Sequence, residues 1–198
     1  MELLSIMQET KIETFCPASR QEWRQWLQEN HHIKQSVWLV QHKKKTNMAS
    51  ISWSDAVDEA LCFGWIDSIR KSRDNDSYIQ FFSKRKARGT WSKINKEKIK
   101  LLIEQGLMTQ AGFDSIERAK QNGSWTILDE VEELLIPIDL DREFETKPGS
   151  KDFFLSLSKS VRKFMLAWIV LAKLPETRQK RIREIAELAS QKLKPKQF

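Results

Sequence analysis

The most chemically loaded stretch of the sequence is Ser83-Lys84-Arg85-Lys86-Ala87-Arg88-Gly89-Thr90-Trp91-Ser92. It sets four cations just ahead of a serine that can open a helix. A helix N-terminus already favours an anion, through its unpaired N–H groups and its dipole. Arg85 and Arg88 suit bidentate contact with a phosphate, Lys86 adds a point charge, and Trp91 or Phe82 offers a ring on which a base can stack. The expected anion or ligand site is therefore Arg85, Lys86, Arg88, Trp91 and Ser92. The competing reading is a solvated basic loop beside a core tryptophan, since neither a P-loop nor a glycine fingerprint is present.

A second constellation lies just upstream. Asp55, Glu59 and Cys62 recur at i, i+4 and i+7, on one face of a helix. Two carboxylates and a thiol are the materials of acid–base or nucleophilic chemistry. The helix dipole explains Asp55 as well, solvent explains Glu59, and packing explains Cys62; no histidine neighbours the thiol in sequence. Asp67 is different: an acid between Ile66 and Ile69 needs a partner if buried, and Arg70, Arg73 and Arg85 are the nearest choices. Trp53, Trp65, Asp67, Gln80 and Phe82 are the residues expected to line a pocket, with Arg85 beside them. No catalytic residue is assigned and no cofactor is implied. His31, His32 and His42 lack metal-ligand spacing, and Cys16 and Cys62 form no CxxC, so no metal site is expected.

These groups sit in a chain of 198 residues with 40% hydrophobic residues, eight Trp, six Gly and five Pro. That is enough to bury roughly 70% of the unfolded surface without a disulfide or metal staple. Two widely separated cysteines suit a reducing compartment, and the sequence shows neither a signal-peptide pattern nor a run of about 20 apolar residues able to span a membrane. The expectation is a cytoplasmic protein. The net charge of +7 is unevenly placed. Residues 69–100 carry eleven basic residues against three acids, residues 173–198 carry eight against three, and residues 129–145 carry eight acids and one Arg. Such a chain binds an anion on one face or pairs its own lobes.

The elements that must position these groups are readable from caps and periodicity. Residues 1–14 read as a lead-in. Ser19-x-x-Glu22 reads as a capping box opening a helix with Trp23, Trp26 and Leu27 inward. Val37–His42 reads as a buried strand. Ser52 caps a helix whose Trp53, Ala56, Val57, Ala60 and Leu61 share a face, and Gly64 fits its left-handed C′ position. Trp65–Arg70 and Tyr78–Phe82 read as two strands joined by the turn Asp74-Asn75-Asp76. Helices follow: from Ser92 to Gly106, from Thr109 to Asn122-Gly123, a short acidic one before Pro137, one from Ser158 with Val161, Met165, Trp168 and Ala172 on a stripe, and a last one from Pro175 with Ile182, Ile185 and Ala189 inward. The fold class is α+β, predominantly helical: a small antiparallel sheet of three strands packed by helices (residues 1–136), a linker (137–150) and a helical C-terminal subdomain (151–198).

The same residues carry a resemblance. Ser-Trp-Ser-Asp-Ala-Val-Asp-Glu-Ala-Leu-Cys-Phe-Gly-Trp-Ile-Asp-Ser (52–68), Tyr-Ile-Gln-Phe-Phe-Ser-Lys-Arg-Lys (78–86), Trp-Ser-Lys-Ile-Asn (91–95) and the closing Ala172-Lys173-x-Pro175-Glu176-Thr177-Arg178-x-x-Arg181-Ile182 resemble the YdeI/OmpD-associated, or bacteriocin-protection, family. Relatives usually have Thr-Pro-Arg-Lys where this chain has Ser83-Lys84-Arg85-Lys86, so the Pro is lost and the Arg-Lys pair kept. The resemblance implies a role in tolerance of bacteriocins or envelope stress, exercised through binding to a protein partner, and carries no reaction with it. Two other classes stand beside it: a nucleic-acid or phosphorylated-ligand binder using the basic loop, and an enzyme with a pocket of Trp53, Trp65, Asp67, Gln80 and Arg85.

Overall fold

A computed structural model describes residues 13–198, which fall into two units: the chain up to Gly89 with Ile94–Gln121, and Thr90–Lys93 with Asn122–Phe198. The expected lead-in lies outside the described residues, apart from its last two.

The first unit is built on a four-stranded mixed sheet in the order β1-β2-β4-β3: β1 (Thr14–Phe15), β2 (Ser36–His42), β3 (Trp65–Ser72) and β4 (Ser77–Lys84). The expected sheet had three antiparallel strands. The addition is β1, which runs parallel to β2 with Thr14 opposite Trp38 and Phe15 opposite Leu39. Two residues carry no readable alternation, so a strand of this length leaves no mark in sequence. The β3–β4 ladder is regular from Trp65 to Asp67, shifts register between Asp67 and Arg70, and resumes through Ser72.

Helices α1 (Arg20–Asn30) and α2 (Trp53–Cys62) cover one face of this sheet. Ser19 Oγ accepts from Glu22 N, and Glu22 Oε2 answers by accepting from Ala18 N at 2.9 Å, a capping box with its return bond moved one residue outward. Trp23 and Trp26 stack at 5.2 Å; Trp23 meets Phe82 at 5.4 Å and Trp26 meets Trp65 edge-on at 5.9 Å. Trp23 Nε1 donates to Ala56 O, so the indole fills the core and leaves no buried polar atom wanting. On α2 the inward stripe is Ala56, Val57, Ala60 and Leu61, while Trp53, the first residue of the helix, is 45% exposed.

Helices α3 (Lys93–Glu104) and α4 (Gln110–Gln121) follow. Helix α4 lies hard against the end of α2. A Cβ on Gly112 would collide with the Cys62 carbonyl, which takes hydrogen bonds from both N and Oγ1 of Thr109. Thr109 thereby satisfies one of the carbonyls that the C-terminus of α2 would otherwise leave unpaired.

The second unit is helical: α5 (Asp129–Glu132), α6 (Ile138–Glu145), α7 (Ser150–Ser156), α8 (Lys159–Val170) and α9 (Pro175–Ser190). Residues 137–150, expected as a linker, hold α6 and the left-handed Gly149 that precedes α7. The core joins Leu140 and Phe144 to Phe154, Met165, Leu166, Ile169, Ile182, Ile185 and Ala189. The inward stripe of α8 is thus Met165, Leu166 and Ile169, rotated from the expected one, with Val161 and Trp168 only partly buried.

Candidate functional site

Four of the expected site residues are buried in the framework, and of these only Trp65 also borders a cleft of the first unit. Phe82 and Trp65 are fully buried beneath α1, where no ligand ring can stack on them. Gln80, 2% exposed, uses its amide to donate to Asp67 Oδ2 at 3.3 Å and to the Ser68 carbonyl at 3.1 Å, bridging the irregularity in β3. Trp91 is buried against Trp125, ring centroids 5.0 Å apart, within the second unit.

Asp67 has the partner it needed. Its Oδ2 accepts from Trp53 Nε1 at 2.9 Å as well as from Gln80. Arg85 is the cation that acts on it electrostatically, whereas Arg70 lies over the Tyr78 ring at 3.5 Å. Trp53, Asp67 and Gln80 thus form a hydrogen-bonded cluster at the rim of the sheet.

The helix N-terminus proposed for an anion already receives one from the chain. Lys93, the first residue of α3, donates its backbone N–H to Glu132 Oε1 at 3.3 Å, and its ammonium pairs with Glu133 at 3.0 Å. Glu132 also pairs with Lys163. Burial of Glu132 works against its ionisation; the Lys163 and Lys93 contacts outweigh that and hold its carboxyl below the usual range. Ser92 precedes this cluster in the second unit, and Lys86 and Arg88 are exposed on the turn closed by Gly89 N donating to Lys86 O in the first.

The Asp55/Glu59/Cys62 face is also structural, for a reason opposite to the expected one. Glu59 is 2% exposed rather than solvated. Its Oε1 takes Arg20 Nε at 2.5 Å and its Oε2 takes Arg24 Nη1 at 2.6 Å, while Arg24 Nη2 donates to Leu107 O at 2.8 Å. Arg20 also reaches Asp55 at 3.5 Å. This buried carboxylate ties α1 to α2. Beside it, burial first and the Glu59 charge second push the Cys62 thiol up to about 11, against the pull of Arg24. A thiol so raised is not a nucleophile at neutral pH. Exposed Cys16 is expected to react with a maleimide in the folded protein and Cys62 only after unfolding, as peptide mapping of labelled protein will show. The sign for stability follows: the folded state keeps the Cys62 proton above the ordinary value of 9.0, so its contribution is full below about 9 and is lost between about 9 and about 11. Cys62→Ala is expected to flatten that alkaline loss in pH-dependent denaturant titrations.

What the fold builds instead is a cleft of about 270 Å³ in the first unit. Its walls are the end of α1 (His31, His32), the corner between α2 and β3 (Phe63, Gly64, Trp65), the end of β4 (Lys84, Arg85) and one face of α4 (Asp114, Ser115, Arg118). The corner is fixed by Gly64, which sits at φ +71, where a Cβ would also meet Ala111 O at 2.9 Å. Arg85 N donates to Gly64 O, and Lys84 Nζ to the His32 carbonyl. His31 Nδ1 lies 2.9 Å from the Leu27 carbonyl; a carbonyl can only accept, so that nitrogen carries the proton. Burial pushes the Arg85 guanidinium down to about 10, with Asp67 pulling the other way. The Trp65 indole N–H is buried with no hydrogen-bond partner among the described residues. Three formal cations face one carboxylate here, beside two imidazole rings. Of the residues expected from sequence, only Arg85 and Trp65 belong to this cleft. The His31-His32 pair and Arg118 were missed because about thirty residues separate the pair from Phe63 and Arg118 from Arg85.

Fold and cleft together define an α+β protein with a four-stranded mixed sheet, a separate helical unit and a basic recess at the sheet's end. Residues 15–115 match the model of the family described as Domain of unknown function (DUF8412), just over half the chain, and the chain belongs to that family. Residues 133–192 match the family described as Bacteriocin-protection, YdeI or OmpD-Associated, in agreement with the resemblance of the closing motif. The 52–95 block, which carried the rest of that resemblance, lies wholly within the first match and outside the second. No curated protein and no solved structure matches the chain significantly.

The closing motif has a structural explanation. Pro175 starts α9, Arg178 clasps Asp139 of α6 through Nε at 2.7 Å and Nη2 at 3.0 Å, Arg181 binds the Trp168 carbonyl and lies over its ring, and Ile182 is in the core. The Arg178 hydrogen bonds hold the Asp139 carboxyl below the usual range.

Proposed function

We propose that this protein acts by binding rather than by a covalent reaction, in the cytoplasm, in the protective role that the second family's description names. Its first unit takes a phosphorylated ligand in the cleft between α1, β4 and α4. The observation that carries this reading is the convergence of Lys84, Arg85 and Arg118 with His31 and His32 on one recess containing a single carboxylate, Asp114. Guanidinium forks and an ammonium in a concave, partly desolvated setting are suited to phosphate oxygens, and the volume fits a small phosphorylated molecule rather than a polymer. The groups that would serve covalent chemistry are otherwise engaged: Glu59 and Asp67 are held in pairings of the framework, and the Cys62 thiol is buried and neutral.

Titration calorimetry with inorganic phosphate, pyrophosphate and ADP tests this reading. Binding of at least one is expected, with Arg118→Ala and Lys84→Ala each weakening it about tenfold, the scale of one charge-assisted hydrogen bond. Lys86→Ala, outside the cleft, should leave affinity unchanged. No binding at millimolar ligand, or equal loss with Lys86→Ala, would overturn it.

A further inference from the structure

The register of β2 and β4 fixes which rings lie beneath α1 and which lie on the other side. Val37 pairs with Phe82 and Leu39 with Gln80, and these four are buried on the helix-covered face. Their neighbours Trp38 and Phe81 also pair, so both rings project from the opposite face. There they meet at 4.9 Å, inclined at 63°, and both stay partly exposed. Ile79 and Lys71, opposite each other in the β3–β4 ladder, lie on the same side, with Lys71 Nζ 5.2 Å from the Trp38 ring.

We propose that this face, with Trp38 and Phe81 as its platform, binds single-stranded nucleic acid. Two partly exposed rings on adjacent central strands match the way an open sheet stacks successive unpaired bases, and stacking tolerates any base. The charge beside the rings fits a phosphate backbone. On this side the β3–β4 hairpin carries Lys71 and Arg73, both exposed, and β2 runs directly into Lys43-Lys44-Lys45, while Arg70, opposite Gln80 and over the Tyr78 ring, belongs to the other face. Against these stand Asp74 and Asp76 of the turn. Asp74 is occupied by Ser77 and by the backbone N–H groups of Asp76 and Ser77, and Asp76 pairs with Lys45 at 3.2 Å. An acidic peptide would answer the charge but leave the two rings without a purpose, and a duplex keeps its bases stacked internally. The surface is separate from the cleft, so either proposal can fail alone.

Fluorescence anisotropy with labelled 12-mers of dT and U, a duplex of equal length, and poly-glutamate as an anion without bases tests it. Expected are preference for the single strands, a loss of about tenfold or more for Trp38→Ala and for Phe81→Ala, near-complete retention for Trp38→Phe, and a shallower salt dependence for Lys71→Ala. Arg118→Ala should not change this binding. The proposal is overturned if no oligonucleotide binds, if duplex binds as tightly, if poly-glutamate competes equally at matched charge, or if Trp38→Phe loses as much as Trp38→Ala in protein whose circular dichroism is unchanged.

Discussion

Replacing Arg20 and Arg24 together by alanine is expected to destabilise the first unit by about 3–5 kcal/mol, among the largest effects of any surface-accessible substitution in this protein. The two guanidiniums are themselves 40% and 30% exposed, but the carboxylate they serve is 2% exposed. Removing both leaves the Glu59 charge desolvated and without its only two side-chain partners among the described contacts. The penalty belongs to the stranded charge more than to the lost attraction. Two comparisons separate these. Glu59→Gln alone leaves cations that water can reach and should cost less, about 2 kcal/mol. Adding Glu59→Met to the double alanine variant should recover most of the loss, because it removes the buried charge and keeps the volume. Denaturant titrations followed by tryptophan fluorescence will report this, since Trp23 and Trp26 lie on the same helix. A double variant as stable as the parent would mean that the pairing of α1 to α2 is held by packing alone.

Gly112→Ala is expected to cost about 3 kcal/mol, at the upper end of the range for overpacking. In an exposed helix the same change would gain about 1 kcal/mol from propensity, so the sign itself is diagnostic. The added Cβ would meet the Cys62 carbonyl and the end of Met108. Met108 can swing aside; the carbonyl cannot, because it is backbone at the end of α2 and is held by Thr109. Helix α4 would have to move outward, carrying Ser115 and Arg118 with it, and so open the cleft. The expected result is therefore double: a lower unfolding midpoint in denaturant and weaker phosphate binding, against unchanged affinity for single-stranded oligonucleotide at the sheet face. A stabilised variant would show that α4 does not approach α2 as closely as described.

Much of the architecture was legible before any coordinates. Caps and periods are local, and Ser19, Ser52, Ser158 and Pro175 each open the helix expected of them. The turn at Asp74-Asn75-Asp76 joins the two strands expected on either side. The partner that Asp67 needed was less legible: Arg70, Arg73 and Arg85 were the choices in sequence, and the side chains that hydrogen-bond it are Trp53 and Gln80. The closing motif was legible for the same reason as the caps, since it is a run of neighbours on one helix whose packing roles (Arg178 to Asp139, Ile182 to the core) constrain residue type directly.

Only the tertiary structure decided which charges serve the fold and which face a recess. Glu59 and Glu132 look alike in sequence, as acids on helices amid cations, yet one is sealed under two arginines and the other takes the N–H of Lys93 where an outside anion was expected. Charge patterns record how many cations there are, whereas occupation depends on which carboxylate long-range packing brings within about 3 Å. The basic loop is the clearest case. Of its cations, Lys84 and Arg85 turn into the cleft to join His31, His32 and Arg118, and Lys86 and Arg88 stay outside. That division is set by the close approach of α4 at Gly64 and Gly112, a contact between segments some fifty residues apart in which the decisive atoms are backbone ones.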